Sequence, residues 1–430
     1  MADSVRVAQI DLQQLLPWTR IVFAVRIALT PAALVLATIA VFATFSGWSA
    51  IGYLYEESEN PKVRDAAKEL QVRPWWVGDD RSGPQNVIPS TAGVIPSPDD
   101  FRPTPSFSRW KPTGSTSPFL DVWEKLSSPF VAMFNAAQSA VGFSMYLLAS
   151  LWALLVWSLL GSGITRLAAL RLARGDQIGF RAALVHGIRR WPAYVTSVLI
   201  PLIATLCIAV LPAILGLLMR NDFFVMIGGI LWPLVLMAAT VMTILLLGLF
   251  FGWPLMWPTI SVENTDPFDA LSRAYSYTYQ RPFRYLWYVI VATFFALLSF
   301  MVVWLFAKTV DELAFWSVSW GTGIERMEDI RNAMNDGTAR SDWMRETGAM
   351  LIRFWIELVY LVAYAFLFSY FWSAMTVIYT LLRKDTDGTE PGEISLDPTD
   401  PVRGLPPLQT DAAGVPAVSD LTTDRPGPTV

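Results

Sequence analysis

One cysteine, Cys207, and one histidine, His186, are all that 430 residues contain of the two side chains most used for soft metal ligation. That scarcity excludes a disulfide framework and any Cys/His cluster with the spacing of a zinc or haem site. Charge is also sparse: 16% of residues are charged, against 53% hydrophobic and 13% aromatic, which is more apolar matter than a globular core needs. No Gly-rich phosphate loop, nucleophile elbow or HExxH occurs, and a phosphodiesterase chemistry that depends on metal-binding histidines is excluded. Neither a cofactor nor a metal is expected, and the chain reads as a non-enzyme.

What the sequence has instead is long apolar runs. Stretches of about 20 or more apolar residues recur, the length a helix needs to cross roughly 30 Å of hydrocarbon. They are continuous rather than alternating, which favours helices over a barrel. The expected fold is all-α, a polytopic transmembrane helix bundle of about six spans with interfacial amphipathic helices. The spans are placed near 27–48, 140–160, 194–219, 223–247, 285–307 and 358–382.

Four regions follow. Residues 1–55 form an interfacial segment, with Ile10, Leu12, Leu15 and Leu16 before Pro17, and the first span, with Pro31 in its first turn. Residues 56–127 are polar and carry Pro84, Pro89, Pro96, Pro98, Pro103, Pro105, Pro112 and Pro118; such a loop buries too little to offset its ordering entropy. Within it only 61–71 reads as helix, with Asn60 as N-cap and proline at the first helical position. Residues 128–384 hold five spans, cytoplasmic interfacial helices and an outer loop at 308–348. There Thr322 and Glu325 suggest a capping box, Ile324, Met327, Ile330 and Met334 share one side, and Gly337 ends the helix. Residues 385–430 carry nine acids against Arg403 and Arg425 and read as a disordered acidic tail.

Orientation rests on arginine. Arg166, Arg171, Arg174, Arg181, Arg189 and Arg190 crowd between spans two and three with only Asp176 opposing them. The positive-inside rule places that loop, and hence both termini, in the cytoplasm. Arginines beside spans are what orientation requires, so no nucleic-acid partner is expected. His186 reads as an ordinary surface histidine, and Arg353 with Glu357 as a local i,i+4 ion pair.

The densest polar stretch between two spans is 248–288. Gly248 and Gly252 form a small-xxx-small pair that admits close helix approach. Asp266 caps a helix starting at Pro267, Asp269 lies in its first turn, and the helix stops before Pro282. Phe268, Leu271, Tyr275 and Tyr279 fall on one side, the pattern of an interfacial anchor. The sharper reading makes Glu263, Asp266, Asp269, Arg273, Arg281 and Arg284 a polar or headgroup-binding site at the cytoplasmic mouth of the bundle. FRAALVHGIRRWPAYV before span three shares the plan of FDALSRAYSYTYQRPFRYLWYV before span five, suggesting a duplicated hairpin.

At these residues the chain resembles a family. DPFDALSRAYSYTYQRPFRY, with GSGITRLAALRLARGD after span two, looks like uncharacterised multi-pass proteins of bacteria, especially of planctomycete type. The Ala-Leu-Ser/Arg helix ending in Arg-aromatic before a span is similar to the membrane domain attached to some glycerophosphodiester phosphodiesterases. The resemblance implies a bacterial inner-membrane location and supplies no catalytic residues. The expected role is a scaffold, assembly partner or accessory subunit, with the lipid bilayer, anionic headgroups and other membrane proteins as partners. The alternative is a transporter or permease-like subunit for a small molecule or lipid, with prolines of spans one, three and four breaking helices near the midplane.

Overall fold

The computed structural model describes residues 16–75, 117–134, 139–175, 179–336, 343–390, 392–395, 409–410 and 416–417. Ile10, Leu12 and Leu15, most of the proline-rich loop, Gly337 and most of the acidic tail lie outside the described residues. A 3-10 turn, Pro17–Ile21, is followed by α1 (Val22–Ala28), α2 (Pro31–Tyr55), α3 (Pro61–Leu70), α4 (Pro118–Met133), α5 (Ala140–Arg174), α6 (Phe180–Leu218), α7 (Asp222–Glu263), α8 (Pro267–Gln280), α9 (Pro282–Thr322), α10 (Ile324–Asp336) and α11 (Trp343–Asp387). Among the described residues six helices, α2, α5, α6, α7, α9 and α11, are long and apolar enough to cross a membrane. The protein is an all-α multi-pass membrane protein. Residues Leu396–Val430 form a separate unit, in which Gln409–Thr410 pairs antiparallel with Pro416–Ala417.

Local chemistry explains where the helices begin and end. Asn60 accepts a hydrogen bond from Lys62 N at 3.1 Å and Pro61 opens α3, as the cap and proline pattern predicts. Gly175, at φ 69°, ends α5 in the left-handed region with its N–H on Arg171 O at 3.1 Å. Asn264, at φ 56°, ends α7 in the same way, its N–H on Ile260 O at 2.9 Å; asparagine is among the few non-glycine residues that tolerate this conformation.

The spanning helices are longer than the apolar runs alone suggest. α7 has 42 residues, about 63 Å at 1.5 Å per residue, twice what hydrocarbon requires. The arginine-rich stretch expected to be a loop after span two is helical on both sides, continuing α5 to Arg174 and starting α6 at Phe180; arginine, leucine and alanine are good helix formers. Likewise α6 runs unbroken through Pro192, Pro201 and Pro212, and α7 through Pro233, Pro254 and Pro258. The expected helix breaks are therefore not formed in spans three and four, whereas at Pro31 of span one the chain does leave the helix between α1 and α2. The two segments that share a sequence plan also diverge: the first is one helix through Pro192, while the second splits at Arg281, whose φ of −130° and ψ of 48° end α8 before Pro282 opens α9.

The core lies toward the end of the bundle that carries Arg171, Arg284 and Arg383, here termed the basic end. α11 is its axis: from Tyr360 to Leu382 every residue but Val362 is buried, and it packs on α1, α2, α5, α7 and α9. Aromatic contacts fill this core. Trp257 stacks on Trp372 at 4.5 Å and 11°, Trp157 stacks on Phe368 at 5.1 Å and 16°, and Phe371 packs against Trp123 at 6.3 Å. The far halves of α6, α7 and α9 expose apolar side chains such as Leu206, Ile230 and Phe306, as lipid-facing helices do.

At the far end, α10 buries Met327 and Met334 while Ile324 is exposed. The expected capping box does not form, because Thr322 still belongs to α9 and its hydroxyl donates to Val318 O at 3.2 Å; Gly323, at φ 82°, separates the two helices. Arg353 and Glu357 make the expected i,i+4 pair at 2.7 Å, and Arg353 Nη1 also donates to Met334 O at 3.0 Å.

Candidate functional site

The six residues singled out by sequence do not form one site. Glu263 and Arg273 do meet. Glu263, at the last turn of α7 with a side chain 7% exposed, lies 3.0 Å from Arg273 Nη1 and 3.0 Å from Arg383 Nε, and accepts from Tyr379 OH at 2.5 Å. Asp387 completes the node, accepting from Tyr277 OH at 2.5 Å and lying 3.7 Å from Arg273. Lys384, one turn before Asp387, pairs outside the node with Glu390 at 3.1 Å.

Burial acts to lower the Arg273 pKa, but the carboxylate of Glu263, with Tyr379 and Tyr277, outweighs it and holds the guanidinium above its ordinary value. Burial raises the Tyr277 phenol, and the Asp387 carboxylate raises it further. Arg284 belongs to a second pair, 3.0 Å from Asp385, which also accepts from Tyr288 OH at 2.8 Å. Asp266 is the N-cap of α8, accepting from Asp269 N at 3.4 Å. Asp269 is exposed in the first turn, and Arg281 sits at the junction of α8 and α9.

The face that α8 buries is not the one its larger apolar residues mark. Ala270, Ala274, Tyr277 and Thr278 are buried, while Phe268 and Tyr279 are 65% and 47% exposed. The reason is close approach. α8 lies on Gly248 and Gly252 of α7, where a Cβ at Gly248 would meet the Tyr275 ring at 2.7 Å, so small residues set the contact. Tyr275 OH donates to Leu245 O at 2.7 Å and Tyr279 OH to Ile244 O at 2.5 Å. The glycine pair thus receives an amphipathic helix rather than another span.

A deeper polar node has no counterpart among the expected sites. Arg166, completely buried in α5, donates through Nη1 to Ser261 O and through Nη2 to Ser395 O at 2.9 Å, while Ser395 N donates to Val262 O at 2.9 Å. Ser261 Oγ shares hydrogen bonds with Thr165 Oγ1 at 2.5 Å and Tyr194 OH at 2.8 Å, and Tyr194 OH with His186 Nε2 at 2.9 Å. His186 is 2% exposed, so the surface-histidine reading is corrected. Gly187 follows it and lies so close to α5 that a Cβ there would collide with Leu159 O, and this contact draws the ring inward. Serine, tyrosine and histidine in series do not make a nucleophilic triad here. His186 bonds Tyr194 rather than Ser261, and Ser261, Tyr194 and Thr165 are each 0% exposed. The node ties α5, α6, α7 and the segment around Ser395 together.

The signal for Arg166 is a lone cation inside GSGITRLAAL, a run small enough to let backbone carbonyls close around it. Asp385 and Asp387 carry no such signal, since they sit at the start of an acidic stretch; helix α11 holds them in the folded unit, so the tail boundary lies beyond Ser395 rather than at 385. Among the described residues no group of three or more His, Cys, Asp or Glu side chains is placed to hold a metal.

A cavity of about 370 Å³ lies between α4, α5, α6, α7 and α11, lined by side chains that include Phe130, Trp157, Leu202, Phe250, Trp253 and Trp372. Its walls are almost wholly apolar. The indole N–H groups of Trp157, Trp253 and Trp372 are buried without an acceptor among the described residues. No protein family, curated protein or solved structure matches this chain.

Proposed function

We propose that the protein is a non-enzymatic scaffold, assembly partner or accessory subunit of a bacterial inner membrane, with both termini in the cytoplasm. One observation carries the reading. The buried carboxylate at the basic end, Glu263, is already engaged by two guanidinium groups and a phenol, and the buried Ser261 node is closed to solvent. Such saturated groups hold helices together; they do not present reacting atoms. A general base or nucleophile needs reach to its substrate.

The second reading, a lipid or apolar small-molecule carrier, draws on the tryptophan-lined cavity. Reconstitution of the full chain in proteoliposomes separates the two. The scaffold reading expects no flux of lipid or solute above protein-free vesicles, together with one discrete protein adduct when a photo-crosslinker replaces exposed Trp320 in native membranes. Protein-dependent flux without an adduct overturns it. For orientation, with Cys207 replaced by alanine, an impermeant thiol reagent added to intact cells is expected to label Ser317→Cys and spare Ser272→Cys; the opposite pattern inverts the topology.

A further inference from the structure

Three arginines from three elements converge at the basic end, and among the described residues no acid pairs with them. Arg20 of the 3-10 turn, Arg26 of α1 and Arg171 of α5 line one cavity of about 500 Å³, closed on the other side by Val377 and Thr380 of α11. The volume is within the range of about 300 to 1,000 Å³ typical of small-ligand sites. Glu390 also lines it, but its carboxylate is 3.1 Å from Lys384 Nζ. Arg171 Nη1 is buried and meets no hydrogen-bond acceptor among the described residues. Orientation in a membrane requires arginines beside the spans; it does not require them to face one another, and like charges brought together repel. An anion between them would remove that repulsion. Guanidinium groups pair with phosphate through parallel N–H donors.

We infer that this cavity binds the phosphate of an anionic phospholipid headgroup. The shared chemistry is a phosphate oxyanion, which a free phosphate could also supply. The lipid is favoured by the cavity's apolar side, where Phe23 lines the wall and is 43% exposed, with Val22 beside it at 45%; an acyl chain has a surface to follow there, and a soluble anion does not use it. This site is separate from Glu263 and Arg273, and it does not depend on the scaffold reading.

The test uses the full chain in detergent, with phosphatidic acid, phosphatidylcholine and inorganic phosphate as probes, and bound lipid counted by native mass spectrometry. Arg20→Gln with Arg26→Gln is expected to weaken phosphatidic acid binding at least about tenfold, with phosphatidylcholine unaffected. Arg181→Gln with Arg189→Gln removes the same charge from exposed positions outside the cavity and is expected to leave binding unchanged. Arg26→Gln alone, at an exposed position, serves if the double variant does not fold, with a smaller loss in the same direction. Unchanged binding in the cavity variants, or an equal loss in the control pair, overturns the site. Displacement of the lipid by inorganic phosphate, with the same dependence on Arg20 and Arg26, keeps the phosphate site and overturns the lipid as its source.

Discussion

The two halves of α7 are both apolar and have opposite surroundings. From Phe223 to Leu247 only Gly228 is buried, whereas from Gly248 to Val262 every residue is buried except Phe250, Phe251 and Trp253. Apolar character alone does not separate them. What does is the company each half keeps: Gly248 and Gly252 receive α8, Ser261 bonds Thr165 and Tyr194, and Trp257 stacks on Trp372, whereas Gly229, Thr240 and Thr243 of the first half are exposed. In lipid, an apolar side chain gains little by leaving one apolar medium for another, so association follows packing and hydrogen bonds. The lesson is that in this helix residue type alone does not set burial: Gly229 and Thr240 are exposed while Leu255 and Trp257 are buried, and the difference is whether a neighbour packs against or bonds the residue.

The strongest way to break that comparison is to truncate one large side chain in each half. Trp257→Ala removes a buried ring that stacks on Trp372 and donates to Tyr194 O at 3.0 Å, and is expected to cost about 3 kcal/mol or more. Ile230→Ala, at a position 72% exposed, is expected to stay within about 0.5 kcal/mol. Unfolding of both variants in one detergent reads the difference, and equal losses would end the distinction.

Next in size is Glu263→Gln. It leaves Arg383, whose side chain is 14% exposed, and Arg273, 39% exposed, without their carboxylate. Removing one partner of a buried pair costs about 3 to 5 kcal/mol, and solvent access to Arg273 reduces the expectation to about 2 kcal/mol. A loss below the error of the unfolding measurement would show that the node contributes nothing to the packed half.

The smallest effect sharpens the comparison through its sign. Gly248→Ala forces the Tyr275 ring away from α7 and is expected to destabilise by about 1 kcal/mol. At Gly229 nothing lies within 4 Å of an added Cβ, so Gly229→Ala is expected to stabilise by about 0.5 kcal/mol through helix propensity. Two substitutions of the same sign would show that α8 does not sit on the glycine pair.

The helices and their termini are legible in the sequence where a local rule decides them. Asn60 with Pro61, and Asp266 with Pro267, mark starts because cap and proline chemistry act within one turn. Six spans are legible because length and hydropathy suffice. Partner choice is not. Asp387 joins Tyr277 across 110 residues of sequence, Asp385 joins Arg284 over a similar reach, and nothing local distinguishes these two acids from the ones that follow. The buried face of α8 is hidden behind its larger rings, because the small size of Ala270 and Ala274 makes the contact. Arg166 resembles its neighbours as an orientation charge, and only the flanking Gly161, Ser162 and Gly163 betray the room left for a buried guanidinium.

Because α11 is the axis of the core, the order of synthesis matters. Trp157 emerges long before Trp372, and at about 5 to 20 residues per second the wait is on the order of 10 to 40 s. During that interval α2, α5 and α7 are inserted but lack the surface they are shaped to meet. The bundle therefore cannot be completed span by span as the chain is made; the earlier helices must be kept apart from wrong neighbours until α11 arrives, and a product interrupted before Tyr360 carries spans without a core.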